Sequence, residues 1–286
     1  MADIPREPSQ TAVLSAAGRA LYLEEPPPHI LEDRFAELFA GDQGADLIRE
    51  LKSRMPAAQL VNFRRWTTVR ARYTEDAVDQ ALEGGIIQYA ILGAGLDSFA
   101  YRRSDLQNRL RVYEVDHPGS QEWKRRRLQK LGVEIPANLV FAPVDFERQT
   151  MRDGLQLAGF DFSTRSILSW IGVTMYLTRG AIEATLRDVA SCARGSRVVL
   201  SYDVRRETLS PAGQALQDSI SRRAAEMGEP FLSRMDPSEV DELLSSLGFV
   251  DIHHFGSDDA VDRFFKGRRD ARFEGPQRLA EATVGQ

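Results

Sequence analysis

An apolar run, Tyr89-Ala90-Ile91-Leu92, breaks into Gly93-Ala94-Gly95 and then into Leu96-Asp97-Ser98, where a helix can begin. With no Cβ at Gly95, a nucleoside-bearing ligand can approach the backbone of such a turn. Twenty-three positions after Gly93, a second apolar run, 110–115, ends in Asp116. A carboxylate there is well placed to accept hydrogen bonds from a ribose diol. Neither half is specific alone, since a tight strand-to-helix turn without a ligand uses the same glycines. The sixth position separates the nucleotides: a dinucleotide fingerprint wants Gly or Ala there, and this chain has Ser98. S-adenosyl-L-methionine (SAM) carries adenosine but no phosphate, so it needs the glycine approach and the diol acid without that third small residue.

Strands and helices alternate from residue 86 onward. The apolar runs predict strands at 86–92, 110–115, 139–144, 166–170, 197–203 and 249–255, with helices at 122–131, 178–193, 212–226 and 237–247 between them. That alternation predicts an α/β fold with a mostly parallel sheet covered on both faces. The tail 277–284 reads as a final edge strand or as helix. Residues 11–83 read mostly as helix, at 11–23, 30–38, 47–55 and 65–82, with breaks at Pro26-Pro27-Pro28 and Gly84-Gly85. No strand precedes 86, so the expected organisation is an N-terminal helical cap, 1–85, over a core of 86–286.

Ligands of an open parallel sheet sit beyond the carboxyl ends of its strands. Those ends are Gly93 to Asp97, Asp116-His117, Asp145-Phe146, Trp170 to Tyr176 and Tyr202-Asp203. Asp116 and Asp145 suit adenosine, the first at the hydroxyls and the second at the exocyclic amine, with Phe146 against the ring. Acids also end strands as simple turn formers.

The chain has 286 residues, enough for one large α/β domain with an added cap. A net charge of −5 gives no general attraction to nucleic acid, and the basic run Lys124-Arg125-Arg126-Arg127 reads as a solvated helix face. One cysteine, Cys192, excludes an internal disulfide framework. No stretch reaches the roughly 18 apolar residues that span a bilayer, and residues 1–10 lack a signal-peptide core. The default location is a reduced cytoplasm.

Gly93-Ala94-Gly95-Leu96-Asp97-Ser98-Phe99-Ala100-Tyr101-Arg102, then Glu114-Val115-Asp116-His117-Pro118 before a basic helix, then Pro143-Val144-Asp145-Phe146, then Gly172-Val173-Thr174-Met175-Tyr176-Leu177, resemble the leucine carboxyl methyltransferase family in motif and order. The similarity runs from about Thr11 into the C-terminal segment. It is strongest to the bacterial branch associated with O-methylation in polyketide and other secondary metabolism. The resemblance implies a class I SAM-dependent methyltransferase with a Rossmann-like sheet. It also implies that Gly93 and Gly95 line the methionine part of SAM, Asp116 holds the ribose, and Asp145 and Phe146 receive adenine. Arg70 matches the cap arginine that clamps the SAM carboxylate, a task suited to a bidentate guanidinium. Arg72 competes for that role but projects about 200° away on a helix. The chain departs from the family at Trp170-Ile171-Gly172-Val173, where Ile171 replaces a glutamate.

Methyl transfer from a sulfonium is an in-line displacement that needs alignment and exclusion of water. The expected partner is a small-molecule methyl acceptor bearing a carboxylate or hydroxyl. His29, His117, His253 and His254 make no convincing metal-ligand set. Tyr176 and His29 are the candidate acceptor contacts. Alternatives from other classes are a SAM-binding but non-methylating enzyme, motivated by Ile171, a nicotinamide-dependent oxidoreductase, opposed by Ser98, and a scaffold with a vestigial pocket. Neither the oligomeric state nor the acceptor can be read from the sequence.

Overall fold

The computed structural model of the protein describes residues 9–145, 148–268 and 270–285. Strands β1 (Gln88–Leu92), β2 (Arg111–Asp116), β3 (Leu139–Pro143), β4 (Ile167–Trp170), β5 (Arg197–Asp203), β6 (Phe249–Phe255) and β7 (Gln277–Val284) form one sheet in the order β3-β2-β1-β4-β5-β7-β6. β1 to β5 run parallel, and β7 is antiparallel to both neighbours. The tail is therefore a strand, but not the edge strand: it inserts between β5 and β6, leaving β6 outermost. Every residue of β1 and β4 is buried, as expected for strands covered on both faces.

Helices α1 (Gln10–Tyr22), α2 (Phe35–Arg54) and α3 (Ala57–Glu83) precede the sheet. Within and after it come α4 (Phe99–Arg102), α5 (Pro118–Leu131), α6 (Met151–Leu157), α7 (Arg179–Ala190), α8 (Pro211–Glu226), α9 (Pro237–Ser246) and α10 (Ser257–Phe264). Val13, Ala16, Val69 and Val78 of α1 and α3 share one hydrophobic cluster with Ile91, Val112 and Val199 of the sheet. α1 reaches α3 closely at Gly18, where a Cβ would stand 2.5 Å from Thr67 Oγ1.

Two helix expectations are corrected. Residues 30–34 are not helical, because Asp33 Oδ1 accepts the Ala36 amide at 3.1 Å and stops the helix there. The runs at 35–38 and 47–55 are instead joined in α2, with a break at Gly41, whose φ of 63° is left-handed. Arg127 fills that break, donating Nε and Nη2 to the Leu38 carbonyl at 3.1 and 2.9 Å. The basic run is likewise not a uniformly solvated face. Lys124 is buried, with Nζ 2.7 Å from Glu114 Oε2 and from the Asp97 carbonyl, and Arg125 lies 4.1 Å from the Phe141 ring centroid.

A buried ionic network ties α1 and α3 to the turn after β1. Asp33 Oδ2 accepts from Arg19 Nε at 2.7 Å and from Ser98 Oγ at 2.6 Å. Arg102 Nε donates to Ser98 Oγ at 3.0 Å, and its Nη2 to Glu75 at 2.5 Å. Arg19 Nη2 reaches the Leu96 carbonyl at 3.0 Å. Ser98 thus has a structural task, as the joint between glycine turn and cap. Burial pushes the Asp33 carboxyl upward, but the Arg19 and Arg102 charges win and hold it below the usual range. The native state therefore binds fewer protons than the unfolded chain, and the stabilisation is lost as pH falls through the acidic range. Asp33→Ala should cost roughly 3 kcal/mol at neutral pH, measured by urea unfolding, because buried Arg19 loses its carboxylate partner and Arg102 keeps only Glu75. The gap should narrow below about pH 4; a constant gap would contradict this account.

Candidate functional site

The strand order reverses at β1, which lies between β2 and β4, and the crevice beyond its carboxyl end opens there. Gly93 and Ala94 both donate their amides to the Val115 carbonyl, at 2.8 and 3.0 Å, so the turn is pinned to β2. Gly93 and Gly95 have φ of 68° and 48°, a region that favours glycine. A Cβ on Gly93 would stand 2.5 Å from Val173 Cγ2, and one on Gly95 3.0 Å from the Ala12 Cβ. At both positions, side chains would fill the space between turn, α1 and the loop after β4.

A cavity of about 480 Å³ extends from this turn under α1 and α3. Arg70, Gly93, Gly95, Asp97, Asp116 and Ile171 line it, together with Tyr176, Phe63, Trp66 and Glu229. Asp116, at the end of β2, accepts the Gly95 amide at 2.6 Å and the His117 amide at 2.7 Å, one on each oxygen. Burial raises its pKa despite those two amides. The Ser120 hydroxyl lies beside the same carboxylate, which has about four acceptor sites in all.

Arg70 is the distinctive feature of the wall. It is buried, and its Nη2 donates to Ser15 Oγ at 2.7 Å and Nη1 to Gln277 Oε1 at 3.1 Å. Among the described residues it enters no direct ion pair. Burial, with the like charge of Arg19 nearby, lowers its pKa to about 10, so the guanidinium remains cationic at neutral pH. Its direct hydrogen bonds go to neutral acceptors, and the Asp203 carboxylate acts on it only through space; such a cation can take a carboxylate from outside the protein. Gln277 is held for this task by Trp66, whose Nε1 donates to the same Oε1 at 2.9 Å. Arg72 is elsewhere, bonded to Asp76 and to the Ile30 carbonyl.

Other sequence-derived candidates lie off the wall. Ala94 is buried in the core behind the turn. Asp145 stands at the next strand end, its carboxylate 3.3 Å from Arg148 Nε, and Phe146 lies outside the described residues. His29 is not brought to the cavity: its Nε2 pairs with the Glu25 carbonyl at 2.8 Å, and its ring packs edge-on to Tyr22. That contact corrects the expectation that His29 meets the acceptor. Tyr176 does line the cavity, with its pKa raised to about 12 by burial. Among the described residues, no cluster of His, Cys, Asp or Glu is arranged to hold a metal.

Ser15, Gln277, Trp66 and Glu229 were missed by sequence reasoning. A signal existed for Ser15: Thr11, Ser15 and Arg19 recur every four residues along an otherwise Ala- and Leu-rich helix, and all three line the cavity. For Gln277 and Glu229, more than 150 residues from Arg70, no local pattern exists.

The family model described as leucine carboxyl methyltransferase matches residues 12–190. The chain belongs to the leucine carboxyl methyltransferase family. A Bacillus subtilis (strain 168) protein, provisionally named S-adenosyl-L-methionine-dependent methyltransferase YktD, is 32% identical over 92% of this chain and 93% of its own length. A Mycolicibacterium smegmatis protein with a like provisional name is 34% identical over 69% of this chain and 68% of its own. In fold, the chain is similar to the crystal structure of a provisionally assigned methyltransferase from Thermobifida fusca. That likeness has a TM-score of 0.63 at 18% identity, covering 98% of this chain and 96% of that one. This leucine carboxyl methyltransferase family member is accordingly a class I SAM-dependent methyltransferase with SAM as cofactor, outside the nicotinamide-dependent class. Among the described residues no helix is long and apolar enough to cross a membrane.

Asp203, at the end of β5, is buried, and neither carboxylate oxygen meets a hydrogen-bond donor in good geometry, although the Gln277 amide lies beside it. Burial lifts its pKa to about 7, against the pull of Gln277, Arg234 and Arg70. A raised carboxylate favours the fold below the ordinary aspartate range, and that benefit is lost as pH rises toward the folded value. Asp203→Asn should therefore gain thermal stability over the natural protein as pH rises from about 4 to above 7, followed by calorimetric melting. A difference independent of pH would contradict it.

Proposed function

We propose that this methyltransferase transfers the SAM methyl group to an oxygen of a small molecule, a carboxylate or a hydroxyl, in cytoplasmic secondary metabolism. The observation that carries the reading is Arg70, a buried guanidinium turned toward the cavity without a carboxylate of its own. In this reading Arg70 takes the SAM carboxylate, and Ser15 and Gln277 hold its fork in plane. Gly93 and Gly95 lie along the methionine chain. Asp116 accepts the ribose hydroxyls through the lone pairs that the Gly95 and His117 amides leave free. Asp145 and Phe146 take the adenine end. Bound there, SAM supplies an electrophilic methyl group on a sulfonium whose departure needs no proton. The chain's own residues fix the approach and keep water out, which is the larger part of such catalysis. Ile171 borders the cavity with apolar surface, and backbone groups take the place of the glutamate that the family pattern has there.

The oxygen assignment draws on the family. A carboxylate acceptor needs no base, and a hydroxyl is helped by one. Methyl-labelled SAM offered with paired aromatic acids and phenols should yield methyl esters or ethers together with S-adenosylhomocysteine. Products methylated only on nitrogen or carbon would overturn the oxygen assignment.

Arg70→Met should lower affinity for S-adenosylhomocysteine by about 100-fold, in line with a charged, bidentate contact. In the absence of ligand the same variant should melt no lower than the natural protein, because it removes a buried cation. Calorimetric titration and melting measure both. Unchanged affinity would remove Arg70 from the cofactor site.

A further inference from the structure

Beyond Trp66, which shares the Gln277 Oε1 with Arg70, the cavity is lined by Phe63, Phe231, Leu216 and Ile220, a predominantly apolar and aromatic wall. One carboxylate enters it. Glu229 lies just past α8, after Gly228, whose φ of 80° turns the chain into the cavity. Thr11 Oγ1 donates to Glu229 Oε2. The next residue, Ala12, has its Cβ 3.0 Å from where a Cβ on Gly95 would stand. One residue of α1 therefore separates Glu229's partner from the turn along which the donor lies in the proposed function. Tyr176 adjoins the same pair, with the Thr11 hydroxyl beside its phenol and the opposed charges of Arg70 and Glu229 both acting on it.

The charges around this carboxylate limit what can bind beside it. Arg19 and Arg70 are the cations on the described wall. Arg19 is spent on Asp33 and the Leu96 carbonyl, at 2.7 and 3.0 Å, and Arg70 stands at the cofactor end. In the proposed function the SAM carboxylate answers Arg70, so a carboxylate acceptor would meet Glu229 with no free cation to offset it, and like charges repel. A neutral hydroxyl meets an acceptor instead. We infer that Glu229 selects a hydroxyl-bearing, largely aromatic acceptor and is the catalytic residue that takes its proton. The inference rests on the proposed function, since it presupposes SAM at the Arg70 end. As the new O–CH3 bond forms, the S–CH3 bond breaks with both electrons remaining on sulfur. The hydroxyl proton passes to the Glu229 carboxylate. The products are a methyl ether, S-adenosylhomocysteine and a neutral Glu229, which returns its proton to water. Tyr176, protonated at neutral pH, acts as a donor that orients the acceptor oxygen.

The test uses the full chain and two probes with one ring system, 2-naphthol and 2-naphthoate. Their fluorescence is titrated near neutral pH against protein saturated with S-adenosylhomocysteine. Naphthol should bind at least about tenfold more tightly than naphthoate, and Glu229→Gln should narrow that gap by admitting naphthoate. No preference, or a preference for naphthoate, overturns the inference. With SAM, formation of 2-methoxynaphthalene should fall about 100-fold in Glu229→Gln, while affinity for S-adenosylhomocysteine stays within about twofold. An unchanged rate removes Glu229 as the base. Failure of the natural protein to bind S-adenosylhomocysteine would instead defeat the proposed function, so the two failures are distinct.

Discussion

Taking a guanidinium out of water costs several kcal/mol unless a negative charge or a full set of acceptors meets it. At Arg70 the protein accepts that cost: it supplies a serine hydroxyl and a glutamine carbonyl, and the Asp203 carboxylate acts only through space. Much of the surrounding architecture serves this arrangement. α1 brings Ser15, α3 brings Arg70 itself and the Trp66 indole, and β7 brings Gln277. Three elements far apart in sequence must be in register before the cation is oriented. The Asp33 network fixes two of them against the turn after β1, which lines the same cavity.

The glycine turn and its partner acid were legible because their signals are local. Gly93, Gly95 and Asp116 follow apolar runs, and the adjacency of β1 and β2 brings the acid onto the Gly95 amide. The parallel part of the sheet could be read for the same reason, since buried strands are continuous apolar runs. What resisted reading depended on distant partners. Residues 277–284 have an Ala- and Glu-containing composition that suits helix equally well, and only the flanking strands decide it. Asp33 ended a helix that apolar spacing extended through it, because its carboxylate is claimed by Arg19 and Ser98. Lys124 looked like one member of a solvated basic run, but Glu114 draws it inward. His29 followed a proline break that suggested a loop over the site, whereas its ring is held by Glu25 and Tyr22.

The residues that line the cavity come from different stretches of the chain. The stretch that matches the family model, 12–190, contains Arg70, the glycine turn, Asp116 and Ile171. Glu229, Phe231 and the α8 residues Leu216 and Ile220 come after it. In the proposed function the cofactor contacts thus come mostly from the stretch matched by the family model, with Gln277 as an exception, and the acceptor wall draws on the segment between β5 and β6. Such a division would let the choice of acceptor change while the cofactor contacts stay fixed, in keeping with the general separation of scaffold and specificity loops.

The position of β7 has a consequence for biosynthesis. Order along the chain and order in space disagree: 249–255 emerges from the ribosome before 277–284, the strand that must separate it from 197–203. During that interval the nascent β5 presents a bare edge, and direct pairing with β6 is the available misassembly. A protein stalled before residue 277 would also lack the Gln277 carbonyl on Arg70, so the guanidinium would be held by Ser15 alone until that strand is in place.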